Sequence, residues 1–459
     1  MPHAVYDVLD PATLEVVGQA PEHSEDDVRQ AIGVAQSVAA GWAADRDARR
    51  SALRRIAELI RADADRLGRI LSLEQGKVLA EAVGEFRVAA SLFDYYADLQ
   101  WDEVEPLPPR ADRSLEVHYR PVGLVGTITP WNFPISLLCV KLAPALLAGC
   151  TVISKPSAST PLSTLALAEV LNTVLPAGVL QVRTSSRRTV NVALSSLPGV
   201  RKISFTGSTD VGTSVAAQAA ATVKRVTLEL GGNDPAIVLD DADAETTARG
   251  IVGSAFRNAG QVCMAVKRVY VPRSRASEFT EAIVAVASEH VLGRGVAEGT
   301  TMGPMHNASQ LQTVHGLVEE AVASGARIAA GGSRGCDLPG YFLSPTVVID
   351  AKPGMRLVDE EQFGSALPIV AYDDLDATVD SANAGEFGLG ASVWSPDTAR
   401  AHGIASRLEA GTVWINQHTV VEPDAPFGGW KASGVGRERG RWGLDEYLET
   451  RTLNMRPHA

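Results

Sequence analysis

Cys263 stands in the run Asn258-Ala259-Gly260-Gln261-Val262-Cys263-Met264, just ahead of the strand-like Arg268-Val269-Tyr270-Val271. A thiolate is the strongest side-chain nucleophile near neutral pH, and forming it takes a base or a positive neighbourhood. Glu229 suits the task of base: it ends an apolar run and is followed at once by Leu230-Gly231-Gly232. Taken alone, a cysteine at a strand start is more often a buried structural thiol than a nucleophile, because Cys packs like a small hydrophobe. Three loops further up the chain change that balance.

The first loop is Thr129-Pro130-Trp131-Asn132-Phe133-Pro134. Two prolines stiffen it, and an Asn amide pinned between aromatics can aim its NH2 at a fixed point. A preorganised donor of that kind stabilises an oxyanion by about 3 kcal/mol; a capping or turn Asn is the plain alternative. The second, Ser154-Lys155-Pro156-Ser157, puts a lysine at a strand end, where it reaches either a ribose or phosphate or simply solvent. The third is Ser204-Phe205-Thr206-Gly207-Ser208-Thr209-Asp210-Val211-Gly212. Its glycines let the backbone come close, and the helix after it offers free N–H groups to a phosphate. The spacing is neither a Walker loop nor the G-x-G-x-x-G fingerprint. A nucleotide beside a thiolate, an amide donor and a carboxylate base point to one chemistry. Sulfur attacks an aldehyde, a hydride leaves to a nicotinamide, and the thioester is hydrolysed.

With these loops in view, the chain resembles the aldehyde dehydrogenase superfamily across nearly its whole length. The resemblance is carried by Pro130-Trp131-Asn132-Phe133-Pro134, Lys155-Pro156-Ser157, Phe205-Thr206-Gly207-Ser208 and Leu228-Glu229-Leu230-Gly231-Gly232. It continues through Gly260-Gln261-Val262-Cys263, Glu360-Glu361-Gln362-Phe363-Gly364 and Pro426-Phe427-Gly428-Gly429. The 34-residue separation of Glu229 and Cys263 also matches. The resemblance implies Cys263 as nucleophile, Asn132 with the Cys263 backbone N–H as oxyanion hole, and Glu229 as activator of the deacylating water. It implies Lys141 and Glu438 as a proton-relay pair, for which a plain buried ion pair is the alternative. NAD or NADP would lie against Ile128, Thr129, Trp131 and Leu230. Lys155, Ser157 and Ala158 would flank its adenosine ribose, and Thr206, Gly207 and Ser208 its pyrophosphate. Glu361 would hold the nicotinamide ribose, with Phe363 packing nearby. Phe133, Val140, Met264 and Phe427 would line the aldehyde channel, or else be ordinary core.

Two departures from the family pattern bear on the cofactor. Many NAD-preferring relatives carry a glutamate three residues after the lysine, which repels a 2′-phosphate; here the residue is Ala158. The Gly-rich turn usual after the strand at Val179 to Val182 is replaced by Arg183-Thr184-Ser185-Ser186-Arg187-Arg188. Those arginines either attract a 2′-phosphate or face solvent. Other readings are acyl transfer to coenzyme A, a cofactor-independent thiol esterase, and a member that has lost catalysis. Glu229 speaks against the first, because hydrolysis needs the base. Lys155, Gly207 and Glu361 have no use in the second, and Cys263, Glu229 and Asn132 are all present against the third.

These loops need rigid elements to hold them. Ser24-Glu25-Asp26-Asp27 opens a helix, and to about Gln100 the pattern is amphipathic helix, with Leu53, Ile56, Leu59 and Ile60 on one face,. Every charge in that stretch reads as scaffold with a solvated face. Trp101 to Arg113 is a proline-rich linker, and Ser114 to Val125 a hairpin-like piece around Pro121 with little core of its own. The tail Leu448 to Met455 is similar. From Val122 strands and helices alternate: strands at 123–128, 151–154, 179–182, 202–205 and 225–229, then 236–239, 268–271, 346–349, 367–372, 391–394 and 412–416. A helix is expected from about Asp243 to Asn258. The pattern predicts an α/β fold, with a Rossmann-like cofactor domain over 1–110 and 126–229. A catalytic α/β domain covers 230–444, and a small β oligomerisation arm is made of 111–125 and 445–459.

Composition bounds the rest. At 459 residues, 45% hydrophobic and 21% charged, the chain is an ordinary soluble α/β protein of two or three domains,. A net charge of −12 argues against non-specific nucleic-acid binding,. Four cysteines without metal-ligand spacing fit no disulfide framework and suit a reducing cytoplasm,. The N-terminus shows no signal-peptide pattern, and the apolar stretch from Leu142 to Cys150 falls short of the roughly 20 residues a membrane span requires,. The expected partner is a small aldehyde, and the two coreless arms suggest a homodimer or homotetramer.

Overall fold

After the antiparallel strands Val5–Leu9 and Val16–Pro21, amphipathic helices fill residues 25–98 of the computed structural model, which describes residues 4–108 and 110–456. Residues 1–3 and 457–459, assigned from sequence to the cofactor domain and the arm, lie outside the described residues, as does Pro109. Helix Glu25–Ala44 begins on a capping box between Ser24 and Asp27,. Arg46–Ala62, Ala64–Gln75 and Leu79–Asp98 follow, and their apolar faces pack on helix Pro134–Ala148. The solvated-scaffold expectation fails for several charges here. Arg49, Arg50, Glu74, Lys77 and Glu85 are buried, because partners distant in sequence satisfy them.

The first sheet has six strands in the order Gly434–Val435, Arg225–Glu229, Lys202–Thr206, Leu124–Ile128, Thr151–Lys155 and Leu180–Val182. All are parallel except the edge strand Gly434–Val435. Val125 and Val152 point into one core and Leu124, Ile128 and Ile153 into another, so the sheet is buried on both faces as parallel sheets require,. Register sets Ile128 beside Lys155 and Phe205, and Thr206 beside Glu229. Loops 129–134, 155–158, 206–208 and 229–232 therefore leave from one edge.

The second sheet has seven strands, in the order Arg327–Ala330, Thr346–Ile349, Ala366–Tyr372, Val266–Pro272, Asp234–Val238, Gly390–Trp394 and Thr412–Ile415. It is parallel apart from Arg327–Ala330. Asp234 pairs with Val266, so Gly231–Asn233 and the Cys263 loop both sit at its amino edge. The carboxyl edge of the first sheet faces the amino edge of the second, and the candidate site lies between them.

Four local expectations change. The linker contains the strand Val104–Pro106, which pairs with Glu116–His118. The hairpin over 114–125 is a single strand, Ser114–Pro121; Leu124 and Val125 belong to the first sheet. The tail Leu448–Met455 pairs with Ser114–Pro121 along its full length, so the two coreless pieces complete one another. Finally, the helix expected to reach Asn258 stops at Ala255. No helix among the described residues is long and apolar enough to cross a membrane.

Candidate active site

The chain reaches Cys263 through a constrained turn. Asn258, Ala259 and Gly260 have φ of 48°, 56° and 74°, three successive residues in left-handed backbone. For Asn and Ala that costs about 1–3 kcal/mol each, so the surroundings must hold them. Lys267 Nζ donates to the carbonyls of Gly260 (3.1 Å) and Val262 (2.8 Å), and Ser365 Oγ donates to Ala259 O (3.0 Å). Gln261 Oε1 accepts from the His306 backbone N–H at 2.7 Å. Only glycine fits at 260, since a Cβ there would lie 2.3 Å from Gly364 O.

Asn132 meets this turn from the other sheet. Its Nδ2 donates to Gln261 O at 2.9 Å, two residues before the sulfur. That bond uses one amide hydrogen and leaves the second free for a donor role. Cys263 is partly exposed at the wall of a cavity of about 240 Å³. Of the residues singled out from sequence, Trp131, Asn132, Thr206, Gly207, Ser208, Leu230, Glu361 and Phe363 line that cavity with Cys263. Pro130, Gly231, Gln310 and Thr313 join them. The last two stand on helix Ala308–Ala323, whose sequence carries no motif that would have marked them.

Burial dominates the electrostatics at Cys263 and Glu229. Burial, then the neighbouring Glu229 and Glu361, push the Cys263 thiol up to about 12. Glu229 is buried with Oε1 free of any hydrogen-bond partner among the described residues, and burial followed by the Glu438 carboxylate raises its carboxyl well above the usual range. Lys141 opposes that rise. Lys141 itself is buried, donates to Thr206 Oγ1 at 2.7 Å and pairs with Glu438. The Glu229 backbone carbonyl accepts from Gly207 N at 3.0 Å, tying its strand to the glycine loop.

On the cofactor side, Ile128 and Thr129 are buried at the strand end and outside the cavity lining. Lys155 is also buried, makes no side-chain hydrogen bond to a described residue, and is brought down to about 8 by desolvation. Ser157 Oγ contacts Ser159 Oγ at 3.1 Å, and Ala158 is partly exposed beside it. Gly207 and Gly212 have packing reasons as well: a Cβ would meet the Phe205 ring at 2.5 Å and Leu230 at 2.3 Å respectively. Glu361 Oε1 accepts from Gly232 N at 3.2 Å, and burial lifts its carboxyl to about 7. Phe363 meets Trp131 edge-on at 5.6 Å, and His306 stacks on Trp131 at 4.5 Å. Arg183 turns away from this edge, donating to Asp27 O, Val182 O and Gln181 Oε1, while Arg187 and Arg188 are exposed.

The residues read as an aldehyde channel divide. Phe133, Met264 and Phe427 are partly exposed, whereas Val140 is packed in the core around helix Pro134–Ala148. Phe427 exchanges backbone hydrogen bonds of 2.8 Å with Glu438, coupling the channel residue to the Lys141 pair. Sequence reading missed Lys77, Glu85, Lys267 and His306. Their partners lie on other elements, and a Gly76-Lys77 step at a helix end was the faint available signal.

The aldehyde dehydrogenase family model matches residues 2–453. Glutarate-semialdehyde dehydrogenase of Pseudomonas putida strain KT2440 is 39% identical over 452 residues, covering 97% of this chain and 93% of that one. The NADP(+) succinate-semialdehyde dehydrogenase GabD of Escherichia coli K12 is 39% identical over 453 residues, with 97% and 93% covered. The crystal structure of betaine aldehyde dehydrogenase from Staphylococcus aureus in complex with NAD+ superposes with a TM-score of 0.96 at 33% identity, covering 100% of this chain and 94% of that one. Sequence, fold and the meeting of thiol, amide and carboxyl agree: the chain belongs to the aldehyde dehydrogenase family, NAD(P)-dependent enzymes that oxidise aldehydes to carboxylic acids.

Proposed function

We propose that the chain performs this oxidation with Cys263 as nucleophile, Asn132 as oxyanion donor and Glu229 as hydrolytic base, acting on a short aldehyde that carries a distal anionic group. The observation that carries the roles is the 2.9 Å bond from Asn132 Nδ2 to Gln261 O, which fixes the amide beside the cysteine turn. The Cys263 thiol gives its proton to water, its sulfur bonds to the aldehyde carbon, and the C=O π electrons move to the carbonyl oxygen as negative charge. There the second Asn132 amide hydrogen and the Cys263 backbone N–H stabilise it. Bound NAD(P)+ supplies the acceptor for the hydride, leaving a thioester on Cys263. Glu229 then takes a proton from water, whose oxygen attacks the thioester carbon. The C–S bond breaks, the acid departs and the thiol is restored. Lys141 and Glu438 pass the proton from Glu229 outward.

A dinucleotide suits the residues present. Lys155 offers a buried amine with no acceptor among the described residues, and Gly207 and Ser208 lead into the amino end of helix Thr209–Ala220,. Lys155 and Ser157 would hold the adenosine ribose, Gly207 and Ser208 the pyrophosphate, and Glu361 the nicotinamide ribose. Ile128, Thr129, Trp131, Leu230 and Phe363 would wall the crevice. The substrate class is supported by Arg257, a partly exposed guanidinium 5.5 Å from the Phe133 ring centre that forms no ion pair with a described residue. The names of the semialdehyde-oxidising relatives point the same way. Four free cysteines suit the cytoplasm, and the β arm is the surface we assign to a homodimer or homotetramer,.

An aldehyde panel run separately with NAD and NADP tests the reading. Succinate semialdehyde should exceed butanal in kcat/KM by about tenfold or more, the scale of one charge-assisted contact. Cys263→Ala should abolish reduction of either cofactor. Turnover near wild type in that variant refutes the nucleophile, and equal use of the two aldehydes refutes the anionic substrate.

A further inference from the structure

We propose that Lys77 is a positioning residue of this reaction, holding the Asn132 carbonyl so that its amide stays in register with Cys263; this rests on reading Asn132 as the oxyanion donor. Lys77 is fully buried among the residues just behind the site. Its Nζ donates to Asn132 O at 2.7 Å and to Glu85 Oε2 at 2.6 Å, and lies 3.7 Å from the centre of the Phe133 ring. The other oxygen of Glu85 accepts the backbone N–H groups of Ile135 (2.9 Å) and Ser136 (3.0 Å) at the start of helix Pro134–Ala148. One ion pair thus grips the chain on both sides of Asn132. Asn258 Nδ2 adds a second donor to Asn132 O at 3.1 Å, from the turn that carries the cysteine.

The lysine is itself locked to both halves of the molecule. It follows the left-handed Gly76 at the end of helix Ala64–Gln75. A Cβ on Gly303 or Gly295 would fall 2.0 Å from Gly76 O and 2.1 Å from Lys77 O, so catalytic-half backbone rests directly on this segment. Leu79 N donates to Gly295 O at 2.9 Å, and His306 Nδ1 lies 3.2 Å from Gln75 O. Segment 75–79 is therefore a strut from the catalytic half to the Asn132 loop. Burying a lysine with a carboxylate costs desolvation that a hydrophobic pair would avoid. What the pair supplies is a directed hydrogen bond at Asn132, which a hydrophobic pair would not.

Acylation by 4-nitrophenyl acetate tests this without the physiological aldehyde. The acetyl carbon bonds to the Cys263 sulfur, the bond to the aryl oxygen breaks, and 4-nitrophenolate is released and read in stopped flow. The double variant Lys77→Met/Glu85→Gln removes both charges together, leaving none buried alone. It should acylate about 100-fold more slowly, the cost of misplacing a catalytic group by about 1 Å. Asn132→Ala should slow acylation about 100-fold to 1,000-fold. With Asn132→Ala already present, the Lys77/Glu85 changes should cost less than about threefold more, because acting through a group that is gone is not additive. Should the double variant not fold, Lys77→Arg keeps the charge facing Glu85 and takes its place in the same two backgrounds. A slowing of equal size with and without the Asn132 amide, or none, overturns the inference and leaves a structural ion pair. Acylation at the wild-type rate in Asn132→Ala overturns the oxyanion reading instead, and a wild-type enzyme without a burst removes Cys263 as nucleophile.

Discussion

Burial raises the proton affinity of both Cys263 and Glu229. A carboxyl whose affinity for the proton is raised becomes a base only as pH climbs above its ordinary range. Hydrolysis of the acyl-enzyme should therefore be slow in mild acid and quicken as pH rises, over a range displaced to the alkaline side of an ordinary carboxyl. Glu229→Gln should still form one equivalent of NAD(P)H per site in a burst, then turn over about 100-fold more slowly and without that alkaline rise. A steady rate near wild type would assign the base elsewhere. Ala158→Glu places a carboxylate three residues beyond Lys155, and like charge against a 2′-phosphate should move the NADP-to-NAD ratio of kcat/KM toward NAD by about tenfold. An unchanged ratio would locate discrimination at another residue. Arg183 already uses three of its five N–H donors on Asp27, Val182 and Gln181,.

The same burial appears in how elements are capped. Helix Leu162–Leu171 follows Pro161, which has no side chain to cap it. Glu74, at the end of helix Ala64–Gln75, accepts from the Leu162 and Ser163 N–H groups at 2.7 and 2.9 Å instead. Burial lifts its carboxyl from 4.5 to about 7. Between those values the folded chain binds more protons than the unfolded one, so this group's stabilisation is complete below 4.5 and lost as pH rises through 7,. Glu74→Gln removes the charge but keeps only one of the two acceptor oxygens, its NH2 facing the other N–H, so the pH dependence rather than the absolute stability reads the carboxyl,. The substitution's effect on stability should be about 3 kcal/mol more favourable at pH 8 than at pH 4; equal melting shifts at both would show that the folded carboxyl ionises over its ordinary range. Glu74 also marks where sequence reading stops. Strands Arg225–Glu229 and Thr346–Ile349 fall where their apolar runs put them, and the other predicted strands lie within two residues of the observed ends. Periodicity is local, and a buried strand writes it into its own residues. Asn132 and Cys263 were legible because motif and spacing surround them. Glu74, Lys77 and the left-handed turn at Asn258 were not, because each is held by groups 50 to 130 positions away.

Across the whole molecule, two parallel sheets meet edge to edge, and the arm hangs from the first. Glu446 accepts from Lys202 at 3.0 Å and Thr227 at 2.8 Å, and the Tyr447 hydroxyl lies 3.2 Å from Ser204 Oγ. The chain is thus pinned to the first sheet just before Leu448–Met455 leaves to pair with Ser114–Pro121. Eight residues of ladder cover one edge of that strand, and the shorter Val104–Pro106 covers part of the other. A bare edge is a template for uncontrolled pairing. Ending the chain after Tyr447 keeps the pinning contacts and removes the ladder. The first sheet should then survive, with NADP titration giving an affinity within about threefold of wild type, because no cofactor residue is touched. The arm should fail as an assembly surface, and light scattering should fall to the mass of a single chain, joined by aggregates through the exposed edge. A truncated protein that kept the wild-type mass would put the subunit contact on another face. One that lost NADP binding would make the ladder part of what holds the first sheet together.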